Sequence, residues 1–567
     1  MKKSCPPKVT ISSLTEIGLN ESTIPVLKQW SYTGRRVISS ALADTSCADL
    51  GVHGVLEKFN MTLGTSYILG SSLFSILDSF VRDNRDFGTA YAYLRACDVY
   101  YDFPKFNIED TLRHNEKEDR ERRSGLIKDG MITLTEHASP QRLWDLYANR
   151  VVPFWVPDRG DKRMWAISHA WMDEKDRKDM WTPINGYEWP VPMPKDANLD
   201  LICIKMLNLG TEYVWLDVLC LRQMYAVRED HHEEDLRKDD LRKEEWKLDV
   251  PTIGFVYDNA KSRKNCRIVG YFSGLGRPLN FKLGDFESHR CWFNRAWTLQ
   301  EIPSHESVFI IAGATGNNAM EKEVQRMFDE RLRSLQHLLK FQSTLNIISE
   351  MRNRVSANPL DKIAGLVYLF QLLCAPLYDA THLEEDAWEV LVDSMESGAR
   401  AELFFYYPGP GNRSKCWRPS WEQVMTHTPS WRNGWTRIGP LQISGTDSDY
   451  FIGPRIDSMY VHGLADTSDK PRQGSLFDRG MLHAAKIVAN HAYLIPDGWY
   501  TLIGPMRPVA PASEWVRVNI WVVGRKRQDG KFEKVAVINI VDYEEMEWLW
   551  NQGQTRTDIH WDMTYLC

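Results

Sequence analysis

Two short apolar runs, residues 165–171 and 213–220, carry side chains that could bind a ligand. Each run has the composition of a buried β-strand, and in an open α/β sheet ligands bind in the crevice where the carboxyl ends of the strands meet. The first run delivers Ser168, His169, Trp171 and Asp173 to that edge, and the second delivers Asp217, Cys220, Arg222 and Gln223. If both runs are parallel strands, they predict one ligand-binding site at that edge.

Asp217 is unusual because it lies in an otherwise apolar run. A buried carboxylate costs several kcal/mol unless it is paired or hydrogen-bonded. A structural role, in which Asp217 caps a loop or pairs with an arginine such as Arg295, meets that requirement. Direct contact with a ligand also meets it, so the sequence leaves both roles open.

A third segment, residues 294–301, places a carboxylate four residues after an indole. On a helix, Trp297 and Glu301 would share one face. A carboxyl group beside an indole lies in a partly dry pocket, which suits acid–base chemistry or the stabilisation of an oxocarbenium ion. The alternative is that Glu301 pairs with Arg295 on the helix surface, because surface ion pairs are common and weak.

The elements that would position these residues alternate in type between residues 138 and 315. Apolar runs predict strands, and helical periodicity predicts helices between them. The predicted strands are 165–171, 213–220, 266–272 and 308–311, and the predicted helices are 199–209, 246–260 and 291–302. Such alternation predicts a parallel α/β sheet, and continuously apolar strands predict a sheet that is covered on both faces.

The chain of 567 residues is longer than one core usually serves, and its patterns change along its length. Helical spacing predominates before the α/β segment, and short alternating runs such as 516–523 and 534–541 predominate after residue 400. Asp529-Gly530 predicts a hairpin between those two runs. We therefore predict four regions. They are a helical N-terminal region (1–137), an α/β domain (138–315), its helical extension (316–380) and a β-rich, tryptophan-rich C-terminal region (381–567).

Composition limits the classes of function and location. The formal net charge of -7 argues against a broad nucleic-acid binder, which needs a basic face. The 10 cysteines include no CxxC pair, which suits a reducing cytoplasm rather than a metal site or a disulfide framework. No apolar core follows the first residues, so we expect no signal peptide. Residues 59–77 carry no charge but several polar groups, and we expect a buried helix there rather than a membrane span.

Three blocks of the sequence resemble the fungal heterokaryon-incompatibility (HET) domain family and occur in that family's order. They are residues 166–171 (Ala-Ile-Ser-His-Ala-Trp), 213–223 (Tyr-Val-Trp-Leu-Asp-Val-Leu-Cys-Leu-Arg-Gln) and 295–301 (Arg-Ala-Trp-Thr-Leu-Gln-Glu). Weaker likenesses at residues 142–153, 253–260, 361–366 and 418–421 extend the match over roughly residues 138–425. Two positions depart from the family pattern: Met172 separates Trp171 from Asp173, and Arg222 stands where an acid is frequent.

The resemblance implies a fold, a substrate and a set of site residues. HET domains are similar to Toll/interleukin-1 receptor (TIR) domains, which have a flavodoxin-like parallel sheet, and many TIR domains cleave NAD at the nicotinamide–ribose bond. The catalytic Glu of TIR domains follows a Trp by four positions, which implies a catalytic role for Glu301. The implied substrate-binding residues are Ser168, His169, Trp171, Asp217, Arg222 and Trp297. NAD would be a substrate, with neither a cofactor nor a metal.

The resemblance also implies a cytoplasmic role in non-self recognition or programmed cell death, through self-association or a partner protein. Two mechanisms are compatible with it: an NAD hydrolase, or a non-enzymatic assembly module in which Glu301 is structural. The hydrolase requires Glu301 in an open cleft near Ser168, His169 or Asp217. Burial of Glu301 in a closed salt bridge with Arg295 would instead favour the module.

Overall fold

The fold is given by a computed structural model. It describes residues 5–12, 31–100, 108–134, 139–157, 164–224, 232–262, 267–302, 309–313, 320–341, 343–427, 439–442, 448–466, 471–480, 484–505, 520–542, 544–545, 559–560 and 563–567. The chain forms two units. We call residues up to 337, with 354–368 and 373–380, the α/β unit, and residues 338–353, 369–372 and 381–567 the barrel unit.

A six-stranded sheet forms the centre of the α/β unit, and four of its strands are parallel. The strands are β1 (Arg142–Asp145), β2 (Arg150–Pro153), β3 (Met164–His169), β4 (Tyr213–Trp215), β5 (Ile268–Tyr271) and β6 (Phe309–Ile311). Their order across the sheet is β6-β5-β3-β4-β1-β2. Strands β3 to β6 pair in parallel, whereas β1 is antiparallel to both β2 and β4. The predicted parallel sheet is therefore confirmed.

The order in which strands are added to the sheet reverses at its centre, at β3. After β3 the chain adds β4 on one side, and it then returns to add β5 on the other side of β3. In the register of these neighbours Ser168 lies opposite Gly270, and His169 lies opposite Tyr271. Every residue of β3 and β5 is buried, as expected for strands that are covered on both faces. In doubly wound sheets such a switch point opens the crevice that binds ligands.

The parallel strands are joined by helices and turns of different lengths. Between β3 and β4 lie the paired strands Arg177–Met180 and Val191–Pro194, the 3-10 turns Glu174–Asp176 and Pro183–Asn185, and the helix Leu199–Leu209. Between β4 and β5 lie the helices Asp217–Cys220, His232–Asp249 and Ile253–Ser262. Between β5 and β6 lie the 3-10 turns Asp285–Glu287 and Trp292–Asn294 and the helical turn Thr298–Glu301. The predicted helix 199–209 is confirmed, and Gly210 ends it with a φ of 92°.

The predicted strand at residues 213–220 is only partly correct. The strand ends at Trp215, and Asp217 begins a helical turn that runs to Cys220. The carbonyl of Leu216 accepts hydrogen bonds from the backbone N–H groups of Leu219 and Cys220, at 3.0 and 2.7 Å. Asp217 therefore lies just beyond the end of β4 rather than within it.

The predicted helix at residues 291–302 is wrong. Two short turns replace it, and Arg295 between them has an extended backbone. The N–H of Ala296 donates to the carbonyl of Val355 at 2.9 Å, and the N–H of Val355 donates to the carbonyl of Asn294 at 2.7 Å. These long-range hydrogen bonds use the backbone groups that a continuous helix would need.

The predicted helix at residues 59–77 is only partly correct, because the two ends of this segment are helical and its middle is not. The helix Cys47–Leu63 ends at Gly64, which has a φ of 65°, and the next helix begins at Ser71. Between them the Asn60 amide binds both backbone polar groups of Tyr67, at 2.8 and 3.0 Å, so a side chain organises the turn. None of the helices in the described ranges has the length and hydropathy of a membrane span.

The remaining elements of the first half are mostly helical, as predicted. The helices are Ser40–Ala43, Cys47–Leu63, Ser71–Arg82, Phe87–Tyr100 and Ile108–Gly125, and further along the chain Lys322–Phe341, Thr344–Arg352 and Leu360–Leu369. Two small sheets accompany them. One pairs Lys8–Ser12 with Ser31–Arg35, and the other joins Ile127–Lys128, Met131–Thr133 and Cys374–Pro376.

Six antiparallel strands of the barrel unit close into a ring. They are β7 (Arg455–His462), β8 (Arg472–Phe477), β9 (Ala484–Ala489), β10 (Gly498–Ile503), β11 (Ile520–Lys526) and β12 (Phe532–Ile540). Around the ring the order is β12-β9-β8-β7-β10-β11 and back to β12. Apolar side chains such as Trp521 fill the interior. Asp529-Gly530 forms the predicted hairpin between β11 and β12, although residues 516–519 of the first predicted run lie outside the described ranges.

Shorter elements complete the barrel unit. They are the helices Glu384–Asp393, Ser397–Phe405 and Trp421–Thr426 and the strands Leu441–Gln442, Asp449–Ile452, Ile559–His560 and Met563–Leu566. The strand Met563–Leu566 pairs with Asp449–Ile452 and meets β12 at one position. The β-rich character expected after residue 400 is therefore present, with helices between residues 384 and 426.

Candidate functional site

Glu301 is bound to the carboxyl end of the central strand. The hydroxyl of Ser168, the penultimate residue of β3, lies within hydrogen-bond distance of the Glu301 carboxylate. The indole Nε1 of Trp292 lies 2.8 Å from the same hydroxyl oxygen. An indole N–H can only donate, so Ser168 accepts from Trp292 and donates its own proton to Glu301. We call these three residues the Glu301 cluster.

The turn that carries Glu301 is fixed from two sides. The hydroxyl of Thr298 donates to the carbonyl of Trp292 at 2.6 Å. The buried guanidinium of Arg354 donates to the carbonyl of Arg295 at 2.7 Å and to the Thr298 hydroxyl at 3.0 Å. These contacts set the position of Glu301 although its helix is a single turn. Its carboxylate is thus held in place by neighbours that are themselves hydrogen-bonded.

A second polar group lies beside the cluster, at the ends of β3 and β4. His169 Nε2 lies 2.8 Å from one carboxylate oxygen of Asp217, and the Trp171 indole donates to the other at 3.2 Å. The other ring nitrogen of His169 faces the carbonyl of Ala170 at 3.3 Å. Because both nitrogens face acceptors, His169 is best satisfied as an imidazolium. Trp171 stacks on His169 with the ring centroids 5.8 Å apart.

Charge balance within this pair agrees with the geometry. Burial by itself would lower the pKa of His169, but Asp217, Glu301 and the Ala170 carbonyl together outweigh burial, so the pKa lies above its usual value. Burial by itself would raise the pKa of Asp217, but His169 and the hydrogen bonds from Val218 and Trp171 together outweigh it, so this pKa lies below its usual value. Both shifts favour the charged forms of the two groups.

Trp297 does not contribute the indole of the Glu301 cluster. Its side chain donates a hydrogen bond to Asp361, which also accepts from the Tyr378 hydroxyl at 2.9 Å. The indole that binds Ser168 is that of Trp292. The backbone from Trp297 to Glu301 is helical, as the expected four-residue spacing requires, but the indole N–H of Trp297 is bound to Asp361.

Arg295 was the expected partner of Glu301 on a helix surface, and the surface location is wrong because Glu301 is only 7% exposed. The charge of Glu301 nevertheless acts on Arg295. Burial lowers the pKa of Arg295, and the carboxylates of Asp361 and Glu301 oppose that effect. Arg295 and the cluster therefore share one electrostatic environment.

Arg222 belongs to a different network. Its guanidinium lies 2.8 Å from Glu188 and 3.5 Å from Glu245, and it stacks over Trp189 at 4.9 Å. Glu245 also binds Arg142 through both carboxylate oxygens, at 3.0 and 2.6 Å. The charged end of Arg222 is thus held in an ion network. The sequence predicts that Arg222 lies at the same site as Glu301, and the structure does not bring the two together.

Tyr257 is a neighbour of the cluster that the sequence does not single out. Its hydroxyl donates to the carbonyl of Ile167 at 3.0 Å, and its ring lies edge-on to Trp215 at 5.4 Å. Burial raises the pKa of Tyr257 well above its usual value, and the charges of Glu301 and Asp217 raise it further. Only the resemblance of residues 253–260 to a family block pointed to this segment. For Trp292 the sequence held no comparable signal.

The groups differ in their access to solvent. Ser168 is fully buried and Glu301 is nearly so, whereas the side chain of Asp217 is 21% exposed and Trp171 is partly exposed. A buried carboxylate that accepts a hydrogen bond from a hydroxyl, as Glu301 does, can stabilise a developing cation or take up a proton. In the described part of the chain, no group of three or more His, Cys, Asp and Glu side chains is arranged to hold a metal.

Comparisons with known proteins do not assign the chain to a family. No family model matches it, and neither a curated protein nor a solved structure does. Its function must therefore be inferred from its own residues and their geometry.

Proposed function

We propose that the chain is a cytoplasmic protein of the HET type, acting in non-self recognition or programmed cell death, and that its α/β unit hydrolyses NAD at the nicotinamide–ribose bond. One observation carries the proposal. The Glu301 carboxylate is bound to Ser168 at the carboxyl end of β3, next to the switch point of the sheet.

The strand order supports the proposal. Numbered along the chain, the four parallel strands β3, β4, β5 and β6 are arranged 2-1-3-4 across the sheet. Flavodoxin-like sheets have this order and bind their ligand at the switch point between the first and third strands. Here those strands are β3 and β5. A TIR-like α/β domain would therefore place its substrate beside Ser168 and His169.

The proposed reaction consumes NAD and water and yields nicotinamide, ADP-ribose and a proton. The bond between the pyridine nitrogen and ribose C1′ breaks, and its electron pair neutralises the nicotinamide as it leaves. The Glu301 carboxylate stabilises the oxocarbenium-like ribose or holds its hydroxyls. The oxygen of water then bonds to C1′. Asp217 and Trp171, which lie nearer the solvent, are placed to contact the rest of the substrate.

Burial of the cluster sets a condition on this reaction. Because Ser168 is 0% exposed and Glu301 7%, NAD reaches them only after a conformational change that exposes both side chains. We call the structure with a buried cluster the closed arrangement, and one in which NAD reaches the cluster the open arrangement. Self-association that favours the open arrangement would switch the enzyme on by mass action. The proposal therefore predicts that NAD cleavage per molecule rises with protein concentration.

A second function is favoured by the same burial. If the closed arrangement is permanent, Glu301 is a structural residue that ties the turn to β3, and the chain is a non-enzymatic assembly module. Its partners would be further copies of the chain or another protein.

Nicotinamide release from NAD by the purified full-length chain, measured over a range of protein concentrations, separates the two functions. Wild type should release nicotinamide, and Glu301→Gln should release at least about a hundredfold less. Glu245→Gln is the matched control, because Glu245 is a partly buried, bonded carboxylate that lies in another network.

Equal activity of wild type and Glu301→Gln would reject Glu301 as the catalytic residue. No activity of wild type at any concentration, together with unchanged self-association of Glu301→Gln in light scattering, would reject the hydrolase and leave the assembly module.

A further inference from the structure

Three aromatic side chains form a row across the outside of the barrel. Tyr460 on β7 lies directly opposite Trp499 on β10 and opposite Phe477 on β8. The rings of Tyr460 and Trp499 are 5.2 Å apart and nearly perpendicular. With neighbouring strands about 4.8 Å apart, the row spans about 10 Å.

Alternation along the strands shows that the row faces outwards. The residues next to its members fill the interior of the barrel, namely Met459, Val461, Leu476 and Tyr500. Side chains of successive residues in a strand project to opposite faces. Trp499 is accordingly 47% exposed, and Tyr460 and Phe477 are partly exposed. A closed barrel gains no core packing from such rings, so their exposure calls for another explanation.

Hydrogen-bonding groups border the row on both sides. On one side the Asp497 carboxylate binds His462 at 2.5 Å and the backbone N–H of Gly463 at 2.8 Å. On the other side the Thr501 hydroxyl donates to Asp457 at 2.8 Å. The apolar strip is therefore one residue wide and lies between fixed carboxylates.

We propose that this face of the barrel binds a neutral chain of pyranose sugars. A pyranose ring has an apolar C–H face, which packs on an aromatic ring, and a polar edge of hydroxyls, which donate to carboxylates. Both features match the strip and its borders. The proposal is independent of the NAD reaction, since it uses only residues of the barrel.

Two other classes of ligand fit the same surface less well. A nucleic acid would bring its phosphates towards Asp457 and Asp497, on a chain whose net charge is -7. A protein interface usually has a broad apolar centre, and the borders of this row are polar on both sides. A short neutral saccharide meets neither objection.

Isothermal titration of the full-length protein with cellohexaose and chitohexaose tests the proposal. At least one probe should bind, and Trp499→Ala and Tyr460→Ala should each weaken binding about tenfold. The matched control is Tyr565→Ala, which removes an aromatic side chain of the barrel unit that is 45% exposed but lies outside the row. Its affinity should equal that of wild type.

Each other outcome overturns the proposal. One such outcome is the absence of a heat signal with either probe at concentrations up to about 5 mM, where even millimolar binding would be detected. The other is an equal affinity for wild type, Trp499→Ala and Tyr460→Ala. Binding of single-stranded polyuridylate that Trp499→Ala weakens, with no binding of either saccharide, would assign the face to nucleic acid instead. Thermal unfolding of each variant shows whether it is folded, and if Trp499→Ala is not, Tyr460→Ala decides.

Discussion

Each of the two units buries an ionisable side chain, but their surroundings differ in kind. In the barrel unit, the side-chain nitrogen of Lys534 donates to the carbonyls of Phe404 and Tyr407, both at 2.7 Å, and burial lowers the pKa of Lys534 well below its usual value. In the α/β unit, the carboxylate of Glu301 accepts from the hydroxyl of Ser168. Both side chains are almost fully buried, at 1% and 7% exposure. Their partners are backbone in one case and side chain in the other.

The difference distinguishes a buried side chain that satisfies backbone groups, Lys534, from one that satisfies another side chain, Glu301. The last carbonyls of the helix Ser397–Phe405 have no partner within the helix, so a donor such as Lys534 is required there. Ser168 lies in a strand whose backbone pairs with both neighbouring strands, so the contact with Glu301 satisfies a side chain and no backbone group of the sheet. A buried carboxylate bonded in this way suits a catalytic role, and it also suits a structural tie between its turn and β3.

The largest effect on stability is expected at Lys534. Replacement by Met in Lys534→Met leaves the helix-end carbonyls without their donor in a buried place, which should cost about 3–5 kcal/mol of the free energy of unfolding. Lys526→Met, at an exposed lysine at the end of β11, should cost less than about 0.5 kcal/mol. Scanning calorimetry measures both. Similar costs for the two variants would show that Lys534 has no structural role at the helix end. The contrast between Lys534 and Glu301 would then not hold.

A smaller loss is expected for Ser168→Ala. The variant removes the hydroxyl between Trp292 and Glu301, so two buried polar groups lose a partner at once, at a cost of about 2 kcal/mol. Ser475→Ala, on the outer face of β8, should change the free energy of unfolding by less than about 0.5 kcal/mol. If urea denaturation gave the same stability for both variants, the Glu301 cluster would not be a bonded unit.

The charged pair of His169 and Asp217 predicts a pH dependence. The pKa of His169 is raised in the folded state, so its stabilisation is fully present below the unfolded value of about 6.5 and is lost as the pH rises through the folded pKa. The pKa of Asp217 is lowered, so its stabilisation is present above about 3.9 and is lost as the pH falls through the folded pKa. The pair therefore stabilises most between about pH 4 and 6.5.

His169→Gln tests this dependence. Relative to this variant, wild type should lose stability when the pH is raised from about 6 to well above the raised pKa, because the ion pair of His169 with Asp217 becomes a hydrogen bond from a neutral imidazole. Denaturation curves at several pH values give the two slopes. Parallel slopes would show that His169 is not charged in the folded state.

The smallest effects distinguish the two tryptophans. Trp292→Phe keeps a ring in the aromatic packing around Phe272 but removes the N–H that binds Ser168, and should cost about 1 kcal/mol. Trp297→Phe should cost a similar amount through Asp361. Nicotinamide release separates them, since only Trp292→Phe should slow it. A larger effect of Trp297→Phe on that rate would show that the reaction depends on the indole of Trp297 and not on that of Trp292.

The sequence predicts the sheet because its signal is local. The apolar runs around Trp165, Val214 and Ile268 all became parallel strands, and Gly210 ended its helix as expected. Segment 291–302 could not be predicted from its helical spacing, since its backbone pairs with Val355, which lies far along the chain. Where distant backbone groups compete for the same hydrogen bonds, local periodicity does not decide the structure.

The site follows the same rule. Ser168, His169, Trp171 and Asp217 were predicted to lie together because parallel strands end at one edge, and the structure places them there. The indole that binds Ser168 is that of Trp292, which lies in the 3-10 turn before the extended Arg295 and which no local pattern indicated. The charged end of Arg222 is drawn to Glu188 and Glu245, two acids whose proximity no local pattern indicates.

The indole signal of Trp292 in the NMR spectrum of protein with ¹⁵N-labelled tryptophan reports directly on whether NAD reaches the Glu301 cluster. Trp292→Phe assigns the signal, and the indole of Trp417, bound to Asp449 in the barrel unit, serves as the control. Addition of NAD should shift the Trp292 signal and leave that of Trp417 unchanged. Nicotinamide release with an unchanged Trp292 signal would mean that NAD is cleaved elsewhere and that Glu301 is not the catalytic carboxylate.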